Sequence, residues 1–284
     1  MKAKKTKHTQ IPKIILYTVK IVEFFSLDLV TKLASRIFTM PIKHKTPNRE
    51  LAMDKNTIQE TIFIPKINKK IVVYHYGNSP KKVLLVHGWS GRGTQLVKFA
   101  DELIKLGYST ISFDAPAHGK SGTRTTLMPE FIASILELEK LYGPFEFAIG
   151  HSLGGMALLN SVKQGLQLKK LIVIGSGDKI EDILDDYVKK LKLKPIIAKK
   201  MSELFEKRFG EPMQDYAAYL AAKQVNIPTL VIHDENDYEV PLFCGKNILK
   251  HLPNGEIYVT QRLGHRKILG DTNVIKKTLN FIQN

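Results

Sequence analysis

The sequence predicts an α/β protein: a mostly parallel central sheet covered by helices on both faces, with a small helical cap inserted before the penultimate strand. Three observations carry that prediction. From Val83 onward short continuous apolar runs alternate with amphipathic segments, the pattern of strands buried on both faces. One such run, Phe147 to Ile149, meets Gly150-His-Ser-Leu-Gly154 and then a helical pattern through Met156, Leu158 and Leu159. One interval, Gly175 to Ile227, is too long for an ordinary crossover and carries three helical patterns of its own.

In chain order, residues 1–10 are basic and polar and read as a mobile arm. Residues 11–40 are apolar-rich and helical in character. Lys20, Glu23 and Asp28 interrupt the run, so no stretch is long enough to span a bilayer. The basic start resembles a signal peptide, but its apolar region is broken and no A-x-A site follows. On a helical wheel Ile15, Val19, Val22, Leu29, Val30, Leu33 and Ile37 share one broad side, opposite Lys13, Asp28, Thr31 and Ser35. Such a face must be covered, either by the protein's own body or by a membrane interface. Pro41 to Pro47 then reads as a linker, so residues 1–50 form an arm, an amphipathic helical segment and a linker, ahead of a domain over 51–284.

From Thr57 the pattern is that of a sheet. Thr61–Ile64 and Ile71–Tyr76 suggest an antiparallel pair. Val83–Val86, Ser109–Phe113, the run before Ser152, Leu171–Ile174, Thr229–Ile232 and Glu256–Thr260 follow as six strands of the parallel alternation. The cap is expected over 176–227, with helical patterns at Ile180–Leu191, Met201–Phe205 and Met213–Leu220.

Of 284 residues, 43% are hydrophobic, enough for one sizeable core and an appendage. The single cysteine, Cys244, excludes an internal disulfide and a thiolate metal cluster and fits a reducing, cytoplasmic setting. The formal charge is +16, and residues 1–50 hold eleven Lys and Arg against three Asp and Glu, a local balance of +8. That charge suits anionic surfaces, but no nucleic-acid-binding module accompanies it, so no specific nucleic acid is expected.

The chemistry centres on Ser152. A serine hydroxyl attacks only when a base takes its proton and a third group orients that base. Gly150 and Gly154 leave room for a sharp strand–helix turn, and the helix beginning there aims its amides at whatever Ser152 attacks. Among nine histidines, His265 follows the last strand and so lies at the carboxyl edge of the sheet, where open α/β sheets place their sites. His151 adjoins the serine and is read as shaping the pocket. Three carboxylates are candidates for the orienting acid: Asp237 several residues past the fifth parallel strand, Asp234 at its end, and Asp178 after the fourth. Asp237 is favoured, because it is free to reach across its loop. Oxyanion donors are expected from the amides of Leu153 and Trp89, the latter in Val86-His-Gly-Trp-Ser-Gly91.

Over residues 57–284 the sequence resembles the serine α/β-hydrolase family. His87-Gly-Trp89 matches its oxyanion loop, and Asp114-Ala-Pro-Ala-His-Gly-Lys-Ser121 its D-x-P-G-x-G-x-S turn, with Ala117 standing where glycine is usual. Gly150–Gly154 matches the elbow, Asp237 with Val240-Pro241 the acid loop, where Asp234 departs from a common glycine, and Gly264-His265 the base. The resemblance implies an α/β-hydrolase fold and hydrolysis through an acyl-serine, without metal or cofactor. Cleavage of carboxylic esters, carboxylesterase- or lipase-like, on a small-molecule or lipid-like acyl substrate is the expected activity. Acyl transfer, thioester cleavage and carbon–carbon hydrolysis use the same triad, and a non-catalytic ligand-binding member is the reading outside enzymes.

Overall fold

A computed structural model describes residues 11–284, and the basic arm expected over 1–10 lies outside the described residues. The chain divides into two compact units. One comprises residues 11–39 with Ile180–Met213, and the other Met40–Lys179 with Gln214–Asn284.

In the first unit α1 (Lys13–Phe25) and α2 (Leu27–Phe38) meet at Ser26, whose side chain accepts the Leu29 amide and caps the second helix. Later in the chain this unit adds two further helices, Ile180–Lys190 and Ile196–Phe209. The wheel face read from the sequence is mostly covered here. Val19 and Val30 are fully buried, Ile15, Val22, Leu33 and Ile37 are partly so, and Leu29 is exposed. The cover is the protein itself. The Tyr187 hydroxyl donates to the Ala34 carbonyl at 3.0 Å, and the Phe38 ring packs on Tyr187 and Phe205. Glu23 is buried, accepting the Lys194 amide and pairing with Lys20. No helix among the described residues is long and apolar enough to cross a membrane.

The second unit holds the sheet. After α3 (Leu51–Asn56) come β1 (Ile58–Ile64), β2 (Lys69–Tyr76), β3 (Lys82–Val86), α4 (Val97–Lys105), β4 (Ser109–Asp114), α5 (Met128–Tyr142), β5 (Phe147–His151), α6 (Leu153–Lys163) and β6 (Lys170–Ile174). The helices of the first unit then take their places as α7 (Ile180–Lys190) and α8 (Ile196–Phe209). There follow α9 (Ala218–Ala222), β7 (Thr229–Asp234), α10 (Leu242–His251), β8 (Gly255–Thr260), α11 (Gly264–Lys267) and α12 (Thr272–Gln283). The eight strands lie in the order β1-β2-β4-β3-β5-β6-β7-β8. β2 is antiparallel to both β1 and β4, and every other pairing is parallel.

Alternation along the central strands explains the two covered faces. Val83, Leu85, Phe147, Ile149, Ile172, Ile174, Leu230 and Ile232 point into one core with Phe99, Leu103, Val274 and Ile282 of α4 and α12. Their neighbours Leu84, Val86, Ala148, Leu171, Val173 and Val231 are also buried, on the face that α5, α6 and α10 cover. Each central strand therefore reads as a continuous apolar run. Parallel register, Val86 beside Gly150 and Gly150 beside Val173, brings the carboxyl ends of these strands to one edge, where the loops that follow them meet.

Candidate active site

Ser152 sits between β5 and α6 with φ 53° and ψ −120°, a conformation an L-residue holds only under constraint. The constraint is visible. Its amide donates to the Ile174 carbonyl at 2.8 Å, and its carbonyl accepts the Gly155 amide in the first turn of α6. A Cβ on Gly150 would stand 2.7 Å from the backbone of Gly154 and Gly155, and one on Gly154 would run into the Val86 carbonyl and reach 2.6 Å from that of His87. Both glycines are thus required by backbone on backbone, which no rotamer change can relieve. Ser152 Oγ makes no hydrogen bond among the described residues, and neither does the Leu153 amide, the first helical N–H of α6. An orphan amide beside a hydroxyl is a ready donor for charge developing on a substrate oxygen.

His265 is the second residue of α11, just past β8. Its Nδ1 donates to Asp237 Oδ2 at 2.7 Å, with the imidazole 8% and the carboxylate 1% exposed. The other oxygen, Asp237 Oδ1, accepts the amides of Glu239 and Val240, both at 2.9 Å. Asp237 is therefore locked in orientation while still addressing the imidazole. The other two carboxylates are engaged elsewhere. Asp234 accepts Asn236 N on Oδ1, and Thr260 Oγ1 and Leu263 N on Oδ2, so it ties the end of β7 to the loop carrying His265. Burial pushes its carboxyl up, but hydrogen bonds led by the Gly264 amide outweigh that and hold it below the ordinary range. Asp178 accepts Asn247 Nδ2 at 2.7 Å.

Contacts around the pair bring the loop carrying His265 against the β5–α6 turn. The ring of His265 lies 4.6 Å from that of His151, the residue before the serine. His151 Nε2 donates to the His265 carbonyl at 2.9 Å, which fixes its proton on Nε2. Burial, then the neighbouring His265, hold the His151 imidazole well below its ordinary pKa, so it stays neutral. Gly175, following the strand whose end receives the Ser152 amide, lies directly against the His265–Asp237 pair.

The loop after β3 packs on the elbow closely enough that a Cβ on Gly88 would stand 3.0 Å from Ser152 Cβ. Its shape is set by two histidines whose parts the sequence did not disclose. His87 donates from Nδ1 to the Gly88 carbonyl at 2.7 Å and accepts the Ala115 amide on Nε2 at 3.0 Å. His118 donates from Nδ1 to the Pro116 carbonyl and accepts the Ser90 amide at 3.0 Å. Together they clasp the loop after β3 to the Asp114–Ser121 turn. Both are neutral: burial lowers His87 to about 4, and burial followed by the proximity of His87 lowers His118 further. Ser90, beside Trp89, holds φ 57° and accepts the Ile42 amide on its hydroxyl. Trp89 meets the His118 ring edge-on at 5.3 Å. The only available sign of this arrangement was the presence of a histidine in each turn. In the same turn Asp114 accepts Tyr74 Oη, Gly93 N and Lys120 N.

Comparison with known proteins agrees with the architecture. The model of the alpha/beta hydrolase family matches residues 83–266. An uncharacterized hydrolase, YugF, of Bacillus subtilis is 24% identical over 235 residues, covering 67% of this chain and 86% of its own. A 2-hydroxy-6-oxononadienedioate/2-hydroxy-6-oxononatrienedioate hydrolase of Cupriavidus pinatubonensis is 23% identical over 242 residues, covering 66% and 82%. Among solved structures, a bromoperoxidase from Bacillus anthracis superposes with a TM-score of 0.62 at 19% identity, covering 80% of this chain and 100% of its own. An esterase from Exiguobacterium antarcticum gives 0.61 at 18% identity over the same shares. A family match that runs from β3 through the residue after His265 leaves one assignment: this chain belongs to the alpha/beta hydrolase family, and it is a hydrolase.

Proposed function

We propose that the chain hydrolyses carboxylic esters through an acyl-serine intermediate, with Ser152 as nucleophile, His265 as general base and Asp237 as the group that orients it. The observation supporting this most directly is the 2.7 Å bond from His265 Nδ1 to an Asp237 carboxylate whose other oxygen is held by two amides. With its proton kept on Nδ1, the imidazole presents a bare Nε2. Ser152 Oγ bonds to the acyl carbon as Nε2 takes its proton, and the Leu153 and Trp89 amides hold the resulting oxyanion. Collapse expels the alcohol, which leaves with the proton from Nε2. Water, deprotonated by the same nitrogen, then releases the acid and restores the serine. Hydrogen bonds between nucleophile and base commonly tighten only with substrate bound, which accommodates an unengaged Ser152 hydroxyl.

A second reading has a specific support: hydrolases named for a nonadienedioate substrate, whose scissile bond is carbon–carbon, are among the relatives at 21–25% identity. There the triad would deliver water or serine to a ketone carbonyl, and a carbon would leave instead of an alcohol. A fluorophosphonate probe should label wild-type protein and not Ser152→Ala. Absence of labelling on folded wild type would remove both readings and leave a ligand-binding member of the family. p-Nitrophenyl esters of rising chain length then report ester cleavage, and the dienedioate substrate of the named relatives reports the alternative. Labelling without turnover of any ester would move the assignment to carbon–carbon or acyl-transfer chemistry.

A further inference from the structure

Helix α1 is apolar on two sides, and only one of them is covered. Val19 and the buried, ion-paired Glu23 mark the inward side. On the outward side Ile14 is 71% exposed, Tyr17 66%, Ile21 60%, Phe24 85% and Phe25 77%, with Leu29 of α2 at 57% continuing the patch. The spacing 14, 17, 21, 24 is that of one helix face, and these residues with Phe25 span an arc of about 100°, opposite Val19. Lys13 borders the arc, Lys20 beside it is paired with Glu23, and Lys32 is exposed on the next helix. Except for Leu29, which belongs to both, the outward stripe is distinct from the wheel face read in the sequence, most of which the unit's own helices cover.

We infer that this stripe of α1 lies in the interfacial region of an anionic lipid bilayer, its apolar side chains among the acyl chains and its lysines at the headgroups. Charge chooses this occupant. The sequence of residues 1–50 carries a balance of +8, of which α1 and α2 themselves hold Lys13, Lys20, Lys32 and Arg36 against Glu23 and Asp28. The two carboxylates on α1 and α2 are already engaged, Glu23 by Lys20 and Asp28 by Lys200. A second copy docking through the same face would bring two such cationic segments together, whereas an anionic surface neutralises them. The helix is far too short to span, and its geometry is that of a segment lying in the interface plane, with long basic side chains reaching outward from an apolar strip.

The test is flotation of the full-length protein with mixed phosphatidylglycerol–phosphatidylcholine vesicles against pure phosphatidylcholine, at low and high salt. Wild type should float with the anionic vesicles and lose binding as salt rises. Ile21→Glu/Phe24→Glu should lower partitioning at least about a hundredfold, since each buried side chain of this size is worth on the order of tenfold or more. Both positions are exposed, so circular dichroism should be unchanged; Phe24→Ser serves as a milder variant if it is not. Three results overturn the inference: no flotation of wild type, flotation indifferent to these substitutions, or a concentration-dependent dimer that the double variant turns monomeric while no vesicles are bound. The assay reads binding alone, so its outcome is independent of the chemistry proposed for Ser152.

Discussion

Two carboxylates three residues apart, Asp234 and Asp237, should respond oppositely to the same chemical change, aspartate to asparagine. In Asp237→Asn the side-chain carbonyl must stay on the Glu239 and Val240 amides, because turning the NH2 toward them would set donors against donors at about 1–3 kcal/mol each. The NH2 then faces His265 Nδ1, which can only accept, so the imidazole proton moves to Nε2. That nitrogen can no longer take the proton of Ser152. The wrong tautomer costs on the order of 10⁴ in rate, roughly 5 kcal/mol of barrier, with little loss of fold. In Asp234→Asn several donors converge on two oxygens, Asn236 N on one and Thr260 Oγ1 with Leu263 N on the other, beside the Gly264 amide. Whichever way the amide turns, at least one donor is opposed. The expected loss is about 1–3 kcal/mol of stability, a melting point lower by several degrees, and a rate change under about tenfold. Fluorophosphonate labelling rates and thermal melts on both variants, supported by p-nitrophenyl acetate turnover, measure the two effects without knowledge of the natural substrate. The reasoning fails if Asp237→Asn labels at the wild-type rate, or if Asp234→Asn is the slower variant while melting like wild type.

Other consequences follow from single positions. Gly154→Ala drives a methyl into the Val86 and His87 carbonyls and should cost about 3 kcal/mol or more, read as lost soluble expression or a collapsed melt; near-native stability would show the elbow to be looser than its contacts imply. Ala117, buried at φ 67° in the turn where the family pattern has glycine, should gain about 1 kcal/mol on Ala117→Gly, raising the melting point by about 2–4 °C, and an unchanged or lower value would refute strain there. His87, His118 and His151 all have folded pKa values below the unfolded value near 6.5, so the unfolded chain takes up protons first as pH falls. Stability should be level above about pH 6.5 and drop below it, by up to about 1.4 kcal/mol per pH unit for each histidine, down to about pH 4 for His87. Urea midpoints that coincide at pH 7 and pH 5 would contradict it.

What the sequence made legible, and what it hid, divides along the range of the interactions. Strands β3, β5, β6 and β7 could be read because burial on both faces gives each an apolar run such as Val83–Val86 or Leu171–Ile174, a signal contained within a few residues, whereas β4 mixes buried Ser109, Thr110 and Ser112 with Ile111 and Phe113. Ser152 could be read because Gly150 and Gly154 are demanded by contacts that the strand–turn–helix geometry itself creates. His265 and Asp237 could be nominated because each follows a strand end at the edge where such sheets keep their sites. The choice between Asp234 and Asp237 was harder, since they stand three residues apart at the end of β7 and in the loop after it, and the difference is made by Thr260 of β8 and Leu263 just past it, which claim Asp234. The clasp formed by His87 and His118 was hidden for the same reason: its partners are backbone amides 28 residues away, and an amide leaves no trace in residue type.

The N-terminal helices carry that logic furthest. A period of 3.6 reports that a face is apolar and says nothing about which of two apolar faces the fold will use. On α1 the interleaved sets, Ile15-Val19-Val22 and Ile14-Tyr17-Ile21-Phe24, are nearly equivalent by composition. The decision is made by α2, which packs along α1, and by the turn between α7 and α8, whose Lys194 amide, 171 positions away, holds buried Glu23 beside Val19. Once those helices have taken one face, the other is left with five large apolar side chains in water. Isolated surface leucines are ordinary, but a continuous stripe of this kind, bordered by Lys13 on helices with more Lys and Arg than Asp and Glu, fits a contact surface for something outside the chain. Burial of one face and exposure of the other are therefore a single observation, and together they separate a helix that completes the fold from one that also carries the fold to a surface.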